Sequence, residues 1–358
     1  MHKKEHGQFF TENNPFTLGP FKEWFSMLPE NAKLLEPFAG SNNLVKMIND
    51  TFGKMDWGSF DIEPPTSNAE PAIQTKQLDT IKNMPEGFDA IITNPPYLAR
   101  NSATRAGIPF DPDNNYDDLY KYCLEKMLEK YNFVAAIIPE SFITSNQFRK
   151  KLYSVISLTQ NMFGDTDCPV CLAMFVSPEI KSQRLLADDF YLYRLNKKIG
   201  QYSQFENYYL SLKELVNKNI KLKFNDKTGI IGLRGVDNTN TSSIKFIRGE
   251  MIDPDCIKVS SRAITRISVN KKISDAELDV IINQANALLR DFRNETNDIF
   301  MTSFKGLRKD GKYRRRLDFK IAGEILNITI NGLAPTKEIA DDNVYDDLPL
   351  LRSLQYAN

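Results

Sequence analysis

The run Phe88-Asp89-Ala90-Ile91-Ile92-Thr93 ends on Asn94-Pro95-Pro96-Tyr97, and that ending limits what the chain around it can build. Two consecutive prolines remove two backbone N–H donors, so the run must leave any sheet here and deliver Tyr97 at the carboxyl edge, where open α/β sheets bind ligands. An Asn side-chain oxygen and a carbonyl fixed by the following proline can each accept one proton of an exocyclic amine, while a Tyr face stacks on the ring that carries it. A Pro-rich turn after a strand is the plainer reading of the same four residues.

The region upstream narrows the choice. Lys33-Leu34-Leu35-Glu36-Pro37-Phe38-Ala39-Gly40 reads as a short buried strand and a tight turn, followed by a helix with apolar positions at Leu44, Val45 and Ile48. Gly40 permits close approach of backbone to a ligand, and Asn42 is among the few other residues that tolerate a left-handed conformation. A second strand in Trp57 to Pro64 ends in the acids Asp61 and Glu63, roughly 20 residues beyond the first turn, as expected for a carboxylate gripping ribose hydroxyls. Either acid alone also fits a solvated strand end.

Strand, glycine turn, strand, acid and then Asn-Pro-Pro-Tyr, in that order, resembles the S-adenosylmethionine-dependent methyltransferases that act on planar amines. The closer resemblance is to the adenine-amine DNA methyltransferases of restriction-modification systems, in the arrangement with the cofactor half first and the target-recognition half last. The resemblance runs over roughly residues 7 to 177 and is architectural beyond 200. It implies an α/β fold: a Rossmann-like class I methyltransferase domain, mainly parallel with helices on both faces, over residues 1–199, then a mixed α+β target-recognition domain over 200–358. The cofactor would be S-adenosylmethionine, leaving as S-adenosylhomocysteine, with no metal. Its contacts would come from Thr11, Glu36, Pro37, Phe38, Ala39, Gly40, Asp61, Ile62, Asp79 and Asn94. Thr11 transfers less directly, because Glu12 stands where the family usually has Pro. Asn94, Pro95, Pro96 and Tyr97 would form the catalytic corner, and Phe163 would present a second aromatic to the target base, although an ordinary core phenylalanine reads the same way.

Such a transfer requires little acid–base equipment, because a sulfonium methyl is already activated; orientation and exclusion of water carry the step. A base inside a duplex cannot reach this site and must be rotated out, with Tyr97 recovering part of the lost stacking. Replacing Asn94 by Ala should therefore cost rate more than cofactor affinity, and Tyr97→Phe should cost much less than Tyr97→Ala.

Downstream, Tyr116 to Tyr131 reads as a helix with Leu119, Cys123, Met127 and Leu128 in one stripe, and Phe133 to Phe142 as a central strand. A polar helix start is expected near Asn146, then a hairpin from Leu158 to Ser177 turning at Gly164 to Asp167. Cys168-Pro169-Val170-Cys171 invites a zinc or redox reading, but it has no second Cys pair and both His lie at the far amino terminus, which favours reduced thiols.

With 358 residues, 41% hydrophobic and 26% charged, the chain can form about two domains, and no apolar stretch is long enough to span a membrane. No signal peptide is evident, and a cytoplasmic location is expected. The formal net charge of +0 hides an asymmetry: residues 1–195 carry 19 basic and 25 acidic side chains, a balance of −6, and residues 196–358 carry 27 and 21, a balance of +6. The basic side chains concentrate in the 305–316 stretch, where Arg308, Lys309, Lys312, Arg314, Arg315 and Arg316 resemble a loop able to follow the phosphates of duplex DNA. Arg100 and Arg105, in a loop after the Asn-Pro-Pro-Tyr turn, would reach the displaced base or its phosphates. The border between the halves is expected near Asn196 to Ser203. Beyond it come β-like runs at Thr228 to Leu233 and Ser243 to Arg248, and a helix opening at Ser274 with Glu277 as capping box. Asp341 to Asp347 reads as a loose acidic tail.

The resemblance implies a companion restriction endonuclease as partner. Two alternatives stay open: methylation of an RNA base or of a protein glutamine by the same fold, and a DNA-binding homologue without catalysis.

Overall fold

The computed structural model describes residues 13–108, 113–159, 162–163, 168–258 and 262–332. The chain divides into two compact units: Met1–Ser203 with Lys305–Leu307 and Gly311–Tyr313, and Gln204–Phe304 with Arg308–Asp310 and Arg314–Asn358. Thr11, the turn at 164–167 and the acidic segment at 341–347 lie outside the described residues.

The first unit is organised on nine strands: β1 (Lys33–Glu36), β2 (Asp56–Asp61), β3 (Lys76–Gln77), β4 (Ala90–Thr93), β5 (Phe133–Pro139), β6 (Leu152–Leu158), β7 (Val170–Phe175), β8 (Tyr191–Arg194) and β9 (Lys197–Gln201). They pair in the order β3-β2-β1-β4-β5-β7-β6-β8-β9. The β1–β2, β2–β3, β1–β4, β4–β5 and β6–β8 pairs are parallel, and β7 runs antiparallel between β5 and β6. This is the expected mainly parallel α/β sheet. Its helices are α1 (Gly19–Phe25), α2 (Asn43–Phe52), α3 (Arg100–Ala106), α4 (Leu119–Lys130) and α5 (Pro178–Ser182).

From β1 the chain crosses through α2 to β2 on one side, and from β4 through α4 to β5 on the other. Right-handed crossovers in opposite directions put α2 and α4 on opposite faces and leave a switch point between the carboxyl ends of β1 and β4. The strands at this point are fully buried: Leu34, Leu35, Ile91, Ile92 and Val134 to Ile138 are all inaccessible to solvent. Leu44, Val45 and Ile48 of α2, and Cys123, Met127 and Leu128 of α4, pack inward as their spacing predicts.

Several local expectations are corrected. No helix starts near Asn146; Asn146 and Phe148 both have positive φ, at 59° and 55°, which a continuing helix cannot accommodate. The first arm of the late hairpin is β6, so it begins at Leu152 rather than Leu158. Residues 100–106 form α3 rather than a loop. Separately, β9 runs to Gln201 and the units divide after Ser203.

The remaining elements are α6 (Tyr202–Glu214), β10 (Leu222–Phe224), β11 (Ile231–Arg234), β12 (Lys245–Arg248), β13 (Ile264–Val269), α7 (Asp275–Glu295), β14 (Thr302–Leu307), β15 (Tyr313–Arg316) and α8 (Phe319–Gly332). Four of the strands form an antiparallel sheet in the order β10-β13-β11-β12. The Ser274 side chain caps α7 while Glu277 reaches back to the Ser274 backbone, and Leu278, Ile281, Ile282, Ala285, Leu288 and Leu289 are buried in the core with Ile231, Leu233 and Phe246. Asn286 closes the outer edge of β12, donating to the Phe246 carbonyl and accepting from the Phe246 N–H, each at 2.8 Å. The basic stretch at 305–316 is a hairpin of β14 and β15 rather than a loop. No helix among the described residues is long and apolar enough to cross a membrane.

Candidate functional site

At the switch point, register sets the geometry. Leu34 pairs with Ala90 and Leu35 with Ile91, and the last residues of the two strands, Glu36 and Thr93, meet through their side chains where the strands end. Glu36 is 1% exposed; its Oε1 accepts from the Thr93 hydroxyl at 2.5 Å and from the Phe38 N–H at 3.0 Å. Burial pushes its carboxyl up to about 8, against the lowering effect of those two hydrogen bonds, and Asp61 nearby raises it further. Pro37 and Ala39 are buried, Phe38 and Gly40 half-buried, and the Thr80 hydroxyl holds the Pro37 carbonyl at 2.8 Å.

Gly40 adopts φ 47° and its N–H donates to Asp61 Oδ2 at 2.8 Å, while the Glu63 N–H donates to Asp61 Oδ1 at 2.8 Å. Asp61 is 4% exposed, and burial raises its carboxyl despite both donors. Asn42, in the left-handed region at φ 61°, is wholly buried and knots the turn together. Its amide nitrogen donates to Asn68, the Ile73 carbonyl and Thr75, and its oxygen accepts from Ser59 at 2.6 Å. Ile62 beside Asp61 is 49% exposed, an apolar face open to solvent. Asp79 is half-buried and pairs with Lys82 at 3.0 Å.

Across the switch point, Pro95 is buried, Asn94 and Pro96 are half-buried, and Tyr97 is 9% exposed. The Tyr97 hydroxyl donates to the Ile137 carbonyl of β5 at 2.6 Å and also reaches Asn94 Oδ1. Tyr97 and Phe163 meet edge-on with ring centroids 6.3 Å apart, and Tyr120 approaches Tyr97 at 6.2 Å. Phe163 is therefore brought to the corner, but at 1% exposure as a packed ring rather than one presented outward.

Two groups of basic residues differ from expectation. The Arg100 guanidinium donates to the Tyr116 and Asn114 carbonyls, which ties α3 to the segment before α4; Arg105 is exposed and bonds within its own helix. In the second unit, Arg308 and Arg315 are each 6% exposed. Arg308 pairs with Asp237 at 3.0 Å and Asp310 at 2.7 Å, and Arg315 donates to Ser303. Arg314 donates to the Asp237 carbonyl, Arg316 lies 3.6 Å from Asp318, and the Lys309 and Lys312 side chains are exposed. The guanidinium groups of this stretch are thus engaged with Asp237, Asp310, Ser303 and Asp318 of the second unit.

Thr93, Tyr120 and the buried knot around Asn42 were not singled out from sequence; only the strand-end position of Thr93 hinted at a role. Cys171 is buried in β7 and burial raises its thiol and that of Cys168. Among the described residues no three His, Cys, Asp or Glu side chains cluster as metal ligands.

This geometry coincides with one match to known families. Residues 31–162 match the family model described as Eco57I restriction-modification methylase. The match starts just before β1 and takes in both walls of the switch point. No curated protein matches. Among solved structures, a modification subunit of a putative type I restriction enzyme from Vibrio vulnificus YJ016 is 14% identical with a TM-score of 0.37, covering 52% of this chain and 47% of that one. A putative class I S-adenosylmethionine-dependent methyltransferase from Listeria monocytogenes is 13% identical with a TM-score of 0.36, covering 47% and 61%. The type IIG restriction endonuclease BpuSI is 13% identical with a TM-score of 0.37, covering 92% and 46%. The chain thus spans about half the length of the first structures it resembles.

Proposed function

We propose that the chain transfers the methyl group of S-adenosylmethionine to the exocyclic amine of an adenine rotated out of duplex DNA, as the modification component of a restriction-modification system. The observation that carries this reading is the placement of Asn94-Pro95 and the Gly40–Asp61 turn on the two walls of one switch point. The restriction-modification methylase match over residues 31–162 supports the setting and a companion endonuclease as partner.

The donor set fits the cofactor. Each Asp61 oxygen already accepts one backbone N–H and retains a lone pair for a ribose hydroxyl, Gly40 keeps the adjacent backbone free of a side chain, and exposed Ile62 offers an apolar platform to a purine. When bound, S-adenosylmethionine supplies an activated methyl. The protein's part is orientation. The Tyr97 hydroxyl reaches both the Ile137 carbonyl and Asn94 Oδ1 and so fixes that amide, whose oxygen keeps a second lone pair. Oδ1 and the Pro95 carbonyl then accept the two amine protons, which localises the nitrogen lone pair for in-line attack. The amine proton leaves to water after the nitrogen–methyl bond forms and the sulfur–methyl bond breaks. Phe163 supports Tyr97 from its edge instead of stacking on the base.

Incubation with labelled S-adenosylmethionine tests this directly. Label is expected on N6 of adenine in duplex DNA, and an Asn94→Ala chain should keep its cofactor heat signal while losing turnover. Label confined to RNA or to protein glutamine overturns the DNA reading; absence of any cofactor heat signal overturns catalysis.

A further inference from the structure

The second unit carries a groove of about 990 Å³ between the β11–β12 pair and α7, lined in part by Arg234, Lys245, Asn283, Asn286 and Arg290. Arg234, Lys245 and Arg290 are exposed. Among the described residues none of the three has an ion-pair partner, and no carboxylate lines the groove. That distinguishes them from Arg308 and Arg316 of the hairpin, which spend their charge on Asp237, Asp310 and Asp318.

Their arrangement is costly without an anion. Arg234 and Lys245 are register partners in an antiparallel pair, so their side chains project from the same face directly opposite each other. Like charges so placed destabilise a sheet. On α7, Asn283, Asn286 and Arg290 follow one another at helical spacing along the flank that faces the groove. A polyanion laid along the groove would relieve the repulsion and accept a hydrogen bond from the exposed Asn283 amide.

We propose that this groove, rather than the β14–β15 hairpin, is the surface on which the second unit holds the phosphate backbone of duplex DNA. The inference rests on the DNA reading above and assigns it a location that the basic stretch at 305–316 does not have. Phosphate contacts of this kind position the duplex without reading its sequence.

Fluorescence anisotropy of a labelled mixed-sequence duplex, titrated with the full chain over a range of salt, tests the assignment. The Arg234→Gln/Lys245→Gln chain should bind about ten-fold more weakly per cation removed near 0.1 M salt, with the salt slope falling by about one unit per cation. Lys309→Gln/Lys312→Gln on the hairpin should change both much less. Without DNA, the groove variant should melt no lower than the unaltered chain, because a repulsive pair has been removed. Should the double variant fail to fold, Arg290→Gln gives the same reading from a single exposed helix position. Unchanged affinity and slope in the groove variants, or a larger loss in the hairpin variant, overturns the groove while leaving the methyltransferase reading intact. Failure of the unaltered chain to bind duplex DNA overturns both.

Discussion

Tyr97 ties two scales of the site together through one hydroxyl. From sequence its ring matters as a stacking face, so that Tyr97→Phe costs much less than Tyr97→Ala; in the structure its hydroxyl also bridges the Ile137 carbonyl and Asn94 Oδ1. Tyr97→Phe keeps the ring and removes the hydrogen bond that the phenol donates to Asn94 Oδ1. We expect kcat to fall by roughly 10- to 100-fold, the scale on which small misplacements of a positioning group act, with cofactor affinity unchanged. Single-turnover methyl transfer beside calorimetry checks it; a rate equal to that of the unaltered chain would show that the hydroxyl only fills space. Asn94, Gly40 and Asp61 were legible because each sits in a short local pattern. The partners that orient them were not: Thr93 meets Glu36 across 57 positions and Tyr97 meets Ile137 across 40, distances along the chain that no local pattern encodes.

Glu36 joins the ends of two strands, β1 by its backbone and β4 through Thr93. Burial raises its carboxyl from 4.5 to about 8, so the sign of its pH effect follows. Neutral Glu36 is accepted by the fold at low pH; as pH rises above 4.5 the unfolded chain gains by ionising, and stability is lost progressively until about pH 8. This group alone should remove roughly 2–5 kcal/mol across that window, and Glu36→Gln should flatten the dependence, as urea denaturation at several pH values would read. An unchanged slope in the variant would mean that the carboxyl ionises in place. At this scale, elements with a strong apolar period were readable: α7 announces itself by its capping box and seven-residue buried stripe, ending at Phe292. The α3 helix was not, because Arg100–Ala106 buries only Ala103 and carries no stripe. Near Asn146 the polar sequence looked like a helix start, yet two left-handed residues in three positions redirect the chain into β6.

The charge split between the halves of the chain does not translate into a uniformly basic second unit. Part of the positive charge is internal: Asp237, wholly buried, pairs with Arg293 at 2.8 Å and Arg308 at 3.0 Å, while Asp298 and Asp310 take the remaining guanidinium donors. Burial opposes the Asp237 charge, but the Arg293 hydrogen bonds and ion pair outweigh it and hold the carboxyl down at about 2. Removing one partner of such a cluster strands the others, so Asp237→Ala should cost about 3–5 kcal/mol, whereas Lys309→Ala should stay within about 0.5 kcal/mol; denaturant melts of the two variants compare them. A small effect at Asp237 would mean that the arginines find water or new partners. Counting charges along a sequence cannot separate cations that lock a unit from cations that face outward, and Arg308 and Arg234 differ only in what the fold puts beside them. Asn286 makes a similar distinction for the sheet. By occupying both polar groups of Phe246 on the outermost strand, it denies that strand to a neighbouring molecule, so the protein can display a positively charged, partly open rim without becoming a template for its own polymerisation.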